Sequence, residues 1–220
     1  MSTISVENYL KAIFQLSARL KAEEKVKPKL IANHLDVSLP SVTSMMKSLR
    51  DCYLVHYESY QGVRLTEEGE KKALRVLRKH RLVEMFLVET LDFPWSEVHA
   101  EAELLEHAIS DRLETYIAQY LGNPLFDPHG DPIPTVDGEL PRRNLTVLSE
   151  LERGDLATIC RVLSQKVDVL KHLTLLGLIP GATIEVLEKL SFDGQMRLKS
   201  SIGVAEVSKT LSMMLMVQCD

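Results

Sequence analysis

Two histidines and two glutamates share one predicted helix face between residues 99 and 107. At 3.6 residues per turn, His99, Glu103, Glu106 and His107 fall within about a quarter of the helix circumference. Imidazoles and carboxylates are common ligands of divalent metal ions, so this face predicts a metal site. The alternative interpretation is a solvated polar face with ordinary helix charges.

A second pair, His80 and Glu84, stands four residues apart on the preceding predicted helix. Two antiparallel helices would bring all six groups together, which favours metal binding over a solvated face. Residues 73–140 hold 5 basic against 13 acidic residues, whereas residues 1–72 hold 11 against 9. Because clustered carboxylates repel one another unless a cation is present, the acidic middle segment fits a metal site. The mildly basic first segment is the predicted place for a polyanion to dock.

The composition is that of a globular protein, with 220 residues of which 45% are hydrophobic and 26% are charged. We expect no membrane association, because no run of about 18 apolar residues occurs. The N-terminus lacks the basic and apolar regions of a secretory signal. Cys52, Cys160 and Cys219 are widely spaced and form no Cys-x-x-Cys motif. This cysteine usage fits a reducing compartment, so we expect a cytoplasmic protein.

The pattern over residues 1–72 predicts a winged helix-turn-helix DNA-binding domain. The predicted elements are a helix capped by Ser5 and ending near Ser17, a short helix at 30–35, a turn at 36–38, a helix capped by Ser38 and running to about Arg50, and a wing of two strands at 54–58 and 63–65.

The second helix of this motif carries short polar and cationic side chains that suit contacts to phosphates and base edges. Together with the wing, the candidate DNA-binding residues are Ser38, Pro40, Ser41, Thr43, Ser44, Lys47, Arg50, Tyr60 and Arg64. The alternative is an ordinary amphipathic surface helix.

Residues 73–140 are predicted to form a metal-binding and dimerisation domain that ends in a proline-rich linker. Thr66 caps a long helix that reaches about Thr90, and a further helix opens at Pro94 to Ser96 and reaches about Leu121. The two helices carry more apolar side chains than one small domain can bury, which predicts a homodimer. Residues 141–220 contain five short strand patterns and one helix, typical of a small β-barrel. The expected fold class is therefore α+β and multidomain.

Three signatures give the chain a close resemblance to a known family. They are Ser38-Leu-Pro-Ser-Val-Thr43 with Gly62-Val-Arg-Leu-Thr-Glu-Glu-Gly69; Lys79-His-Arg-Leu-Val-Glu84 with Val98-His-Ala-Glu-Ala-Glu-Leu-Leu-Glu-His107; and Asp127-Pro-His-Gly-Asp-Pro-Ile-Pro134. With these residues the chain resembles the diphtheria toxin repressor family of metal-dependent transcriptional repressors, in the long form with an SH3-like, FeoA-like C-terminal domain.

The resemblance implies a homodimer that binds a double-stranded DNA operator when it is loaded with Mn2+ or Fe2+. A primary metal site is implied at Asn8, Glu103, Glu106 and His107, and an ancillary site at His80, Glu84 and His99. In the iron-responsive branch the position of Glu103 is a cysteine, so the carboxylate here resembles the manganese-responsive branch. In that branch position 8 is also a carboxylate, whereas Asn8 offers only a carbonyl oxygen. Lys11 stands where manganese-type binuclear sites have a glutamate.

Three alternatives stay open at this point. The chain is an Fe2+-responsive repressor of the same family, a metal-dependent hydrolase that uses Glu103-Leu-Leu-Glu-His107, or a winged-helix regulator that senses a small molecule. We expect no enzymatic activity, because no general base or substrate loop stands out. In the linker, His129 is interpreted as part of the loop structure, and Gln165 or Asp168 is a candidate for completing the ancillary site.

Overall fold

The computed structural model describes residues 3–18, 20–21, 24–59 and 61–219. The chain forms two compact units. One unit runs to Lys79 and includes Pro134–Glu139, and the other contains His80–Ile133 and the chain from Leu140 onward. The three-domain division at residues 72 and 140 stays a prediction.

The first unit contains the predicted helix-turn-helix and wing. Its elements are α1 Thr3–Ser17, α2 Pro28–Leu35, α3 Leu39–Asp51, β1 Val55–Glu58, β2 Gly62–Leu65 and the start of α4 Glu67–Leu91. Ser38 caps α3 as predicted, since its Oγ accepts a hydrogen bond from the Ser41 N–H at 3.3 Å. The prediction that Ser5 caps α1 is wrong, because the helix already includes Ser5. A serine is tolerated inside a first turn, where the backbone N–H groups have no partner within the helix.

The apolar faces of these helices meet in one core. Leu10, Ile31, Val42 and Met46 are fully or almost fully buried there, together with Val63 of the wing. This packing leaves the polar face of α3 exposed. The core thus holds α3 in place and keeps its polar side chains available for binding.

Three helical segments of the second unit carry the acidic part of the chain. After α4, α5 spans Val98–Leu105 and α6 spans Asp111–Tyr120. The prediction of one continuous helix to Leu121 is wrong, because the chain turns between Glu106 and Ser110. Ser110 starts α6 by accepting a hydrogen bond from the Leu113 N–H at 3.2 Å. No helix among the described residues is long and apolar enough to cross a bilayer.

The C-terminal part of the second unit is an antiparallel sheet with the strand order β3-β8-β4-β5-β6-β7. Its elements are β3 Thr146–Val147, a short 3-10 helix at Leu148–Glu150, β4 Leu156–Val162, α7 Val167–Leu175, β5 Thr183–Lys189, β6 Met196–Ser200, β7 Gly203–Val207, α8 Lys209–Ser212 and β8 Leu215–Cys219. Within the described residues the edge strands β3 and β7 are not paired with each other, so the sheet is open where a closed barrel was expected. β3 has only two residues before the 3-10 helix begins, which limits its pairing to β8.

An apolar groove with a volume of about 460 Å³ runs along the helices of the second unit. It is lined by Val83, Phe86, Leu87, Leu91, Leu105, Ile109, Leu113, Tyr116, Ile117 and Tyr120. Leu91, Leu113 and Tyr120 are more than 45% exposed, so the chain itself leaves much of this surface uncovered. Leu74, Leu77 and Leu82 of the same long helix are buried inside the chain and are not part of this exposed surface.

Gly69 fixes the start of α4 against the strand hairpin. Its N–H donates to Thr66 Oγ1 at 3.0 Å, which confirms Thr66 as the cap of this helix. A Cβ at position 69 would lie 2.0 Å from the backbone oxygen of Leu54.

Gly69→Ala should therefore destabilise the protein by about 1 to 3 kcal/mol, because the backbone must shift to make room. Urea unfolding followed by circular dichroism measures this change. Lys72→Ala on the exposed side of the same helix is the matched control and should stay within about 0.5 kcal/mol of the native chain.

Candidate metal centre

Six of the seven predicted metal ligands lie in the second unit and come from three neighbouring segments. His80 and Glu84 are one turn apart on α4, His99 and Glu103 are one turn apart on α5, and Glu106 and His107 follow directly after α5. The regular helix ends at Leu105, Glu106 is its C-cap in helical conformation, and His107 lies in the turn that follows.

His80 lies at the centre of these groups and is 2% exposed. Its Nδ1 is 2.6 Å from Glu106 Oε2, and its Nε2 is 3.0 Å from both Glu84 Oε1 and His99 Nδ1. Glu84 and Glu106 are almost fully buried as well. Both nitrogens of this buried imidazole thus face buried carboxylates.

The outer side of this group is more open. Glu103 Oε1 lies 3.6 Å from His99 Nε2, and both side chains are about one third exposed. One ligand atom each from His80, His99 and Glu103 lies within 4.8 Å of the others. His107 Nε2 lies 3.1 Å from Glu106 Oε1. We call His80, His99 and Glu103, with their neighbours Glu106 and His107, the first cluster.

A second cluster consists of Glu84, Asp127 and His129, all of which are buried. One ligand atom from each lies within 4.8 Å of the others. His129 Nδ1 is 3.8 Å from Glu84 Oε2. Glu84 Oε2, Asp127 Oδ2 and His129 Nδ1 are buried atoms without a hydrogen-bond partner. Glu84 belongs to both groups, because its Oε1 faces His80 and His99 while its Oε2 faces His129.

Burial and neighbouring charges shift the pKa of each group in the second cluster. Burial would raise the pKa of Glu84, but His80 and the hydrogen bonds of the surrounding histidines outweigh burial and hold the pKa well below its usual range. Burial raises the pKa of Asp127 to about 7, with the carboxylates of Asp131 and Glu84 adding to the shift. Burial would lower the pKa of His129, but Glu84 and Asp127 raise it. Positive charge next to Glu84 and Asp127 is therefore favourable, whether an imidazolium or a bound cation supplies it.

Arg81 supplies part of the positive charge that offsets these carboxylates. Its Nε lies 3.5 Å from Asp127 Oδ2, one guanidinium nitrogen lies 3.9 Å from Asp131 Oδ1, and another donates to the Pro132 carbonyl. Arg161 also pairs with Asp131, at 2.5 Å. The two arginines together do not balance the three carboxylates of Glu84, Asp127 and Asp131, so further positive charge favours their ionised forms.

Both clusters fit a divalent metal ion. Ligand distances of roughly 2.0 to 2.3 Å place two donors on the same ion no more than about 4.6 Å apart, close to the spacing of each triad. The donors are carboxylate oxygens and imidazole nitrogens, which suit ions from Mn2+ to Zn2+. The three orphaned atoms of the second cluster would gain a partner from such an ion, since unpaired buried polar atoms are costly.

Asn8 belongs to α1 in the first unit, and its role as a ligand stays a prediction. Asp168 is exposed at the start of α7 and Gln165 is half-buried, and the completion of the ancillary site by either residue stays a prediction. The sequence did not predict Asp127 and His129 as metal ligands. Their two-residue spacing in the linker signature was the available signal, but only the folded chain places that signature beside Glu84.

The predicted DNA-binding residues lie on the exposed side of the first unit. Ser38, Pro40, Ser41, Ser44, Lys47 and Arg50 are exposed, and Thr43 and Arg64 are half-buried. Arg50 forms an ion pair with Asp51 at 2.9 Å, which a phosphate would have to displace. Tyr60 lies outside the described residues. A helix N-terminus with serine and cationic side chains is suited to contacting a phosphate backbone.

Comparison with known protein families accounts for nearly the whole chain. Residues 1–63 match the N-terminal DNA-binding domain of iron-dependent repressors, and residues 66–135 match their metal-binding and dimerisation domain. Residues 146–219 match the FeoA domain.

Individual relatives agree with these matches. The iron-dependent repressor IdeR of Mycobacterium tuberculosis is 34% identical over 196 residues, which are 83% of this chain and 83% of IdeR. A solved manganese-dependent transcriptional repressor in complex with manganese is 33% identical, with a TM-score of 0.85 over 98% of this chain and 100% of that one. ScaR with bound Zn2+ is 32% identical, with a TM-score of 0.77 over 97% and 98% of the two chains.

Because Glu84 faces both clusters, its replacement should weaken both. Glu84→Gln should lower the affinity for Mn2+ of the first and second clusters, each by at least about tenfold, since even outer partners of metal ligands contribute 10- to 100-fold. His99→Ala should weaken the first cluster alone, and Asp127→Asn the second alone. Competition of the metal-free chain with a fluorescent chelator measures both affinities.

Glu89→Gln is the matched control, because Glu89 is an exposed glutamate on the same helix. It should bind Mn2+ as the native chain does. Unchanged binding in Glu84→Gln would show that Glu84 is not a ligand.

Proposed function

The chain belongs to the diphtheria toxin repressor family of iron-dependent repressors, and we propose that it is a metal-dependent transcriptional repressor activated by Mn2+. One observation carries the proposal: a cluster of buried carboxylates and imidazoles occurs in a chain whose first 63 residues match a repressor DNA-binding domain. As a member of this family the chain is a regulator and not an enzyme, so the hydrolase alternative is set aside. Regulation of the cell's supply of manganese or iron follows from this function, and such a repressor acts in the cytoplasm, where operator DNA lies.

The first cluster, with His80, His99, Glu103, Glu106 and His107, is the proposed sensing site together with Glu84. The contacts of His80 support it: Nδ1 lies against Glu106, and Nε2 lies against Glu84 and His99. The assignment of Asn8 rests on the family resemblance alone. The second cluster is proposed as a further metal site on the strength of its orphaned atoms.

Mn2+ is favoured by the donor set. Glu84, Glu103 and Glu106 supply hard carboxylate oxygens, whereas thiolates and thioethers favour softer ions. Fe2+ is the second candidate, because the related mycobacterial repressor is iron-dependent. Raw affinity follows the Irving–Williams order, so tight binding of Zn2+ or Co2+ would not by itself identify the physiological signal.

Metal binding can control DNA binding without chemistry. An ion that binds more tightly to the DNA-competent conformation shifts the population toward that conformation. By linkage, operator DNA then raises the affinity for the metal by the same factor.

The repressor is proposed to act as a homodimer that reads a palindromic operator. The apolar groove along α4, α5 and α6 supports this, because Leu91, Leu113 and Tyr116 are exposed apolar side chains on one continuous surface. A second copy related by two-fold symmetry would bury the same groove on both partners. The α3 helices of the two copies would then face the two half-sites of the operator.

DNA binding should depend on the metal. Fluorescence anisotropy with duplex DNA from upstream of the protein's own gene and from metal-transport genes should show tight binding with Mn2+ and loss with a chelator. Lys47→Ala should weaken binding to all sequences alike. It should also reduce the slope of log K against log salt concentration by about one, as expected for the loss of one phosphate contact.

Lys199→Ala, on β6 of the C-terminal sheet, is the matched lysine control and should bind DNA as the native chain does. Equal DNA affinity with Mn2+ and with chelator would contradict metal control. An anaerobic titration in which Fe2+ activates and Mn2+ does not would contradict the choice of manganese and leave metal control intact.

A charge placed in the groove should break the dimer. Leu113→Glu should raise the dimer dissociation constant by roughly thirtyfold or more, because loss of a central apolar contact costs about 2 kcal/mol and a carboxylate adds desolvation. Multi-angle light scattering over a micromolar dilution series measures the change. Leu175→Glu, at an exposed leucine on α7 outside the groove, should stay dimeric. A native chain that is monomeric with and without metal would overturn the dimer.

A further inference from the structure

The chain segment between α1 and α2 pairs with the wing through one antiparallel bridge. The Val26 N–H donates to the Val63 carbonyl at 3.0 Å, and the Val63 N–H donates to the Val26 carbonyl at 2.9 Å. Both valines are almost fully buried in the core of the first unit. Successive side chains of an extended segment point to opposite sides, so Lys25 and Lys27 lie on the side away from this core.

Lys25 joins the two arms of the wing hairpin. Its Nζ donates to Glu58 Oε1 at 3.2 Å and to Gln61 Oε1 at 3.1 Å. Glu58 is the last residue of β1, and Gln61 comes directly before the first residue of β2. The Lys25 side chain is 28% exposed and that of Glu58 is 58% exposed. One partly buried ammonium group therefore holds both sides of the hairpin turn.

Two further contacts hold the same turn. Lys27 Nζ donates to the Gln61 carbonyl at 2.9 Å, and the Gln61 N–H donates to the Glu58 carbonyl at 3.2 Å. A Cβ on Gly62 would lie 2.8 Å from the Val26 carbonyl oxygen, and Gly62 has φ 114°. Glycine is therefore required for the close approach of this segment to the wing.

The charge of Lys25 is offset by the carboxylate that it contacts. Glu58 is the only acidic residue between Leu54 and Leu65 in the sequence. A carboxylate on a surface that meets DNA repels the phosphates, and its pairing with Lys25 reduces this repulsion. Affinity that depends on salt comes from cations that neutralise phosphates and release their counterions. A lysine already paired with a carboxylate is suited to holding the wing and adds little to that release.

We propose that Lys25 is a positioning residue for operator binding, which fixes the wing hairpin through Glu58 and Gln61 and does not itself contact DNA. This inference rests on the proposed binding of operator DNA by the first unit. The wing carries Arg64, a candidate DNA-binding residue next to Val63, so the conformation of the hairpin determines where Arg64 meets the DNA. The connection between α1 and α2 thereby becomes part of the DNA-binding apparatus.

The test measures DNA affinity of the full, Mn2+-loaded chain over a series of salt concentrations, with duplexes from upstream of the protein's own gene and from metal-transport genes. Lys25→Met should weaken binding by about 3- to 10-fold, since each of two such contacts contributes up to about fivefold. The slope of log K against log salt concentration should stay as in the native chain, whereas it falls by about one in Lys47→Ala. Lys25→Arg, which keeps the charge, should recover part of the loss.

A second background separates positioning from direct contact. Glu58→Ala together with Gln61→Ala removes both side-chain acceptors of Lys25. In that background Lys25→Met should change the DNA affinity by less than about twofold, because residues that act through one another have non-additive effects. Hydrogen exchange over residues 55–65, measured without DNA, should be faster in Lys25→Met than in the native chain, because the hairpin opens more often.

Lys71→Met is the matched control, because Lys71 forms an ion pair with Glu67 at 2.6 Å on α4 of the same unit. It should leave both the DNA affinity and the hydrogen exchange of the wing as in the native chain.

Native DNA affinity or native wing exchange in Lys25→Met would overturn the positioning role and leave DNA binding in place. An equal loss of affinity in both backgrounds, with a salt slope lowered by about one, would also overturn it and make Lys25 a phosphate contact. A native chain that binds none of the duplexes would refute DNA binding itself and with it this inference.

Discussion

The buried carboxylate of Glu84 is the constraint on which the metal centre depends. Its side chain has no measurable exposure, and His80, His99 and His129 surround it. Burial of an ionised carboxylate without partners would cost too much free energy, so Glu84 requires the neighbouring imidazoles as partners. Glu84 also joins the two clusters, because each of its oxygens faces a different one. Loss of Glu84 would therefore affect both clusters, whereas each of the other candidate ligands belongs to one of them.

The end of α5 determines which groups can reach this carboxylate. The helix stops at Leu105, and the chain turns before Ser110 begins α6. Glu106 is the C-cap of α5, still in helical conformation, and lies 2.6 Å from His80 on α4. The residues form a compact centre because α5 and its C-cap bring His99 and Glu106 to His80 on α4.

The proline-rich segment after α6 has a structural role beyond linking two parts of the chain. It contains a short antiparallel bridge between Phe126 and Pro132, Arg81 donates to the Pro132 carbonyl, and β4 packs against Gly130. These contacts convert a stretch with little regular secondary structure into a fixed part of the second cluster. The geometry of the second cluster and the packing of the C-terminal sheet are therefore parts of one arrangement in the second unit.

The sequence by itself determined the local elements and the chemistry of the first cluster. Capping residues such as Ser38 and Thr66 mark helix starts by a hydrogen bond within three residues, and the His80/Glu84 and His99/Glu103 pairs follow from the 3.6-residue period. Family signatures then indicated a metal-dependent repressor. Only the tertiary structure decided that α5 ends at Leu105, that the C-terminal sheet is open, and that Asp127 and His129 join Glu84. The last of these depends on contacts between residues far apart in the chain, such as His129 with Trp95 and Gly130 with Cys160. No local pattern encodes such contacts, because they arise only when packing brings distant backbones together.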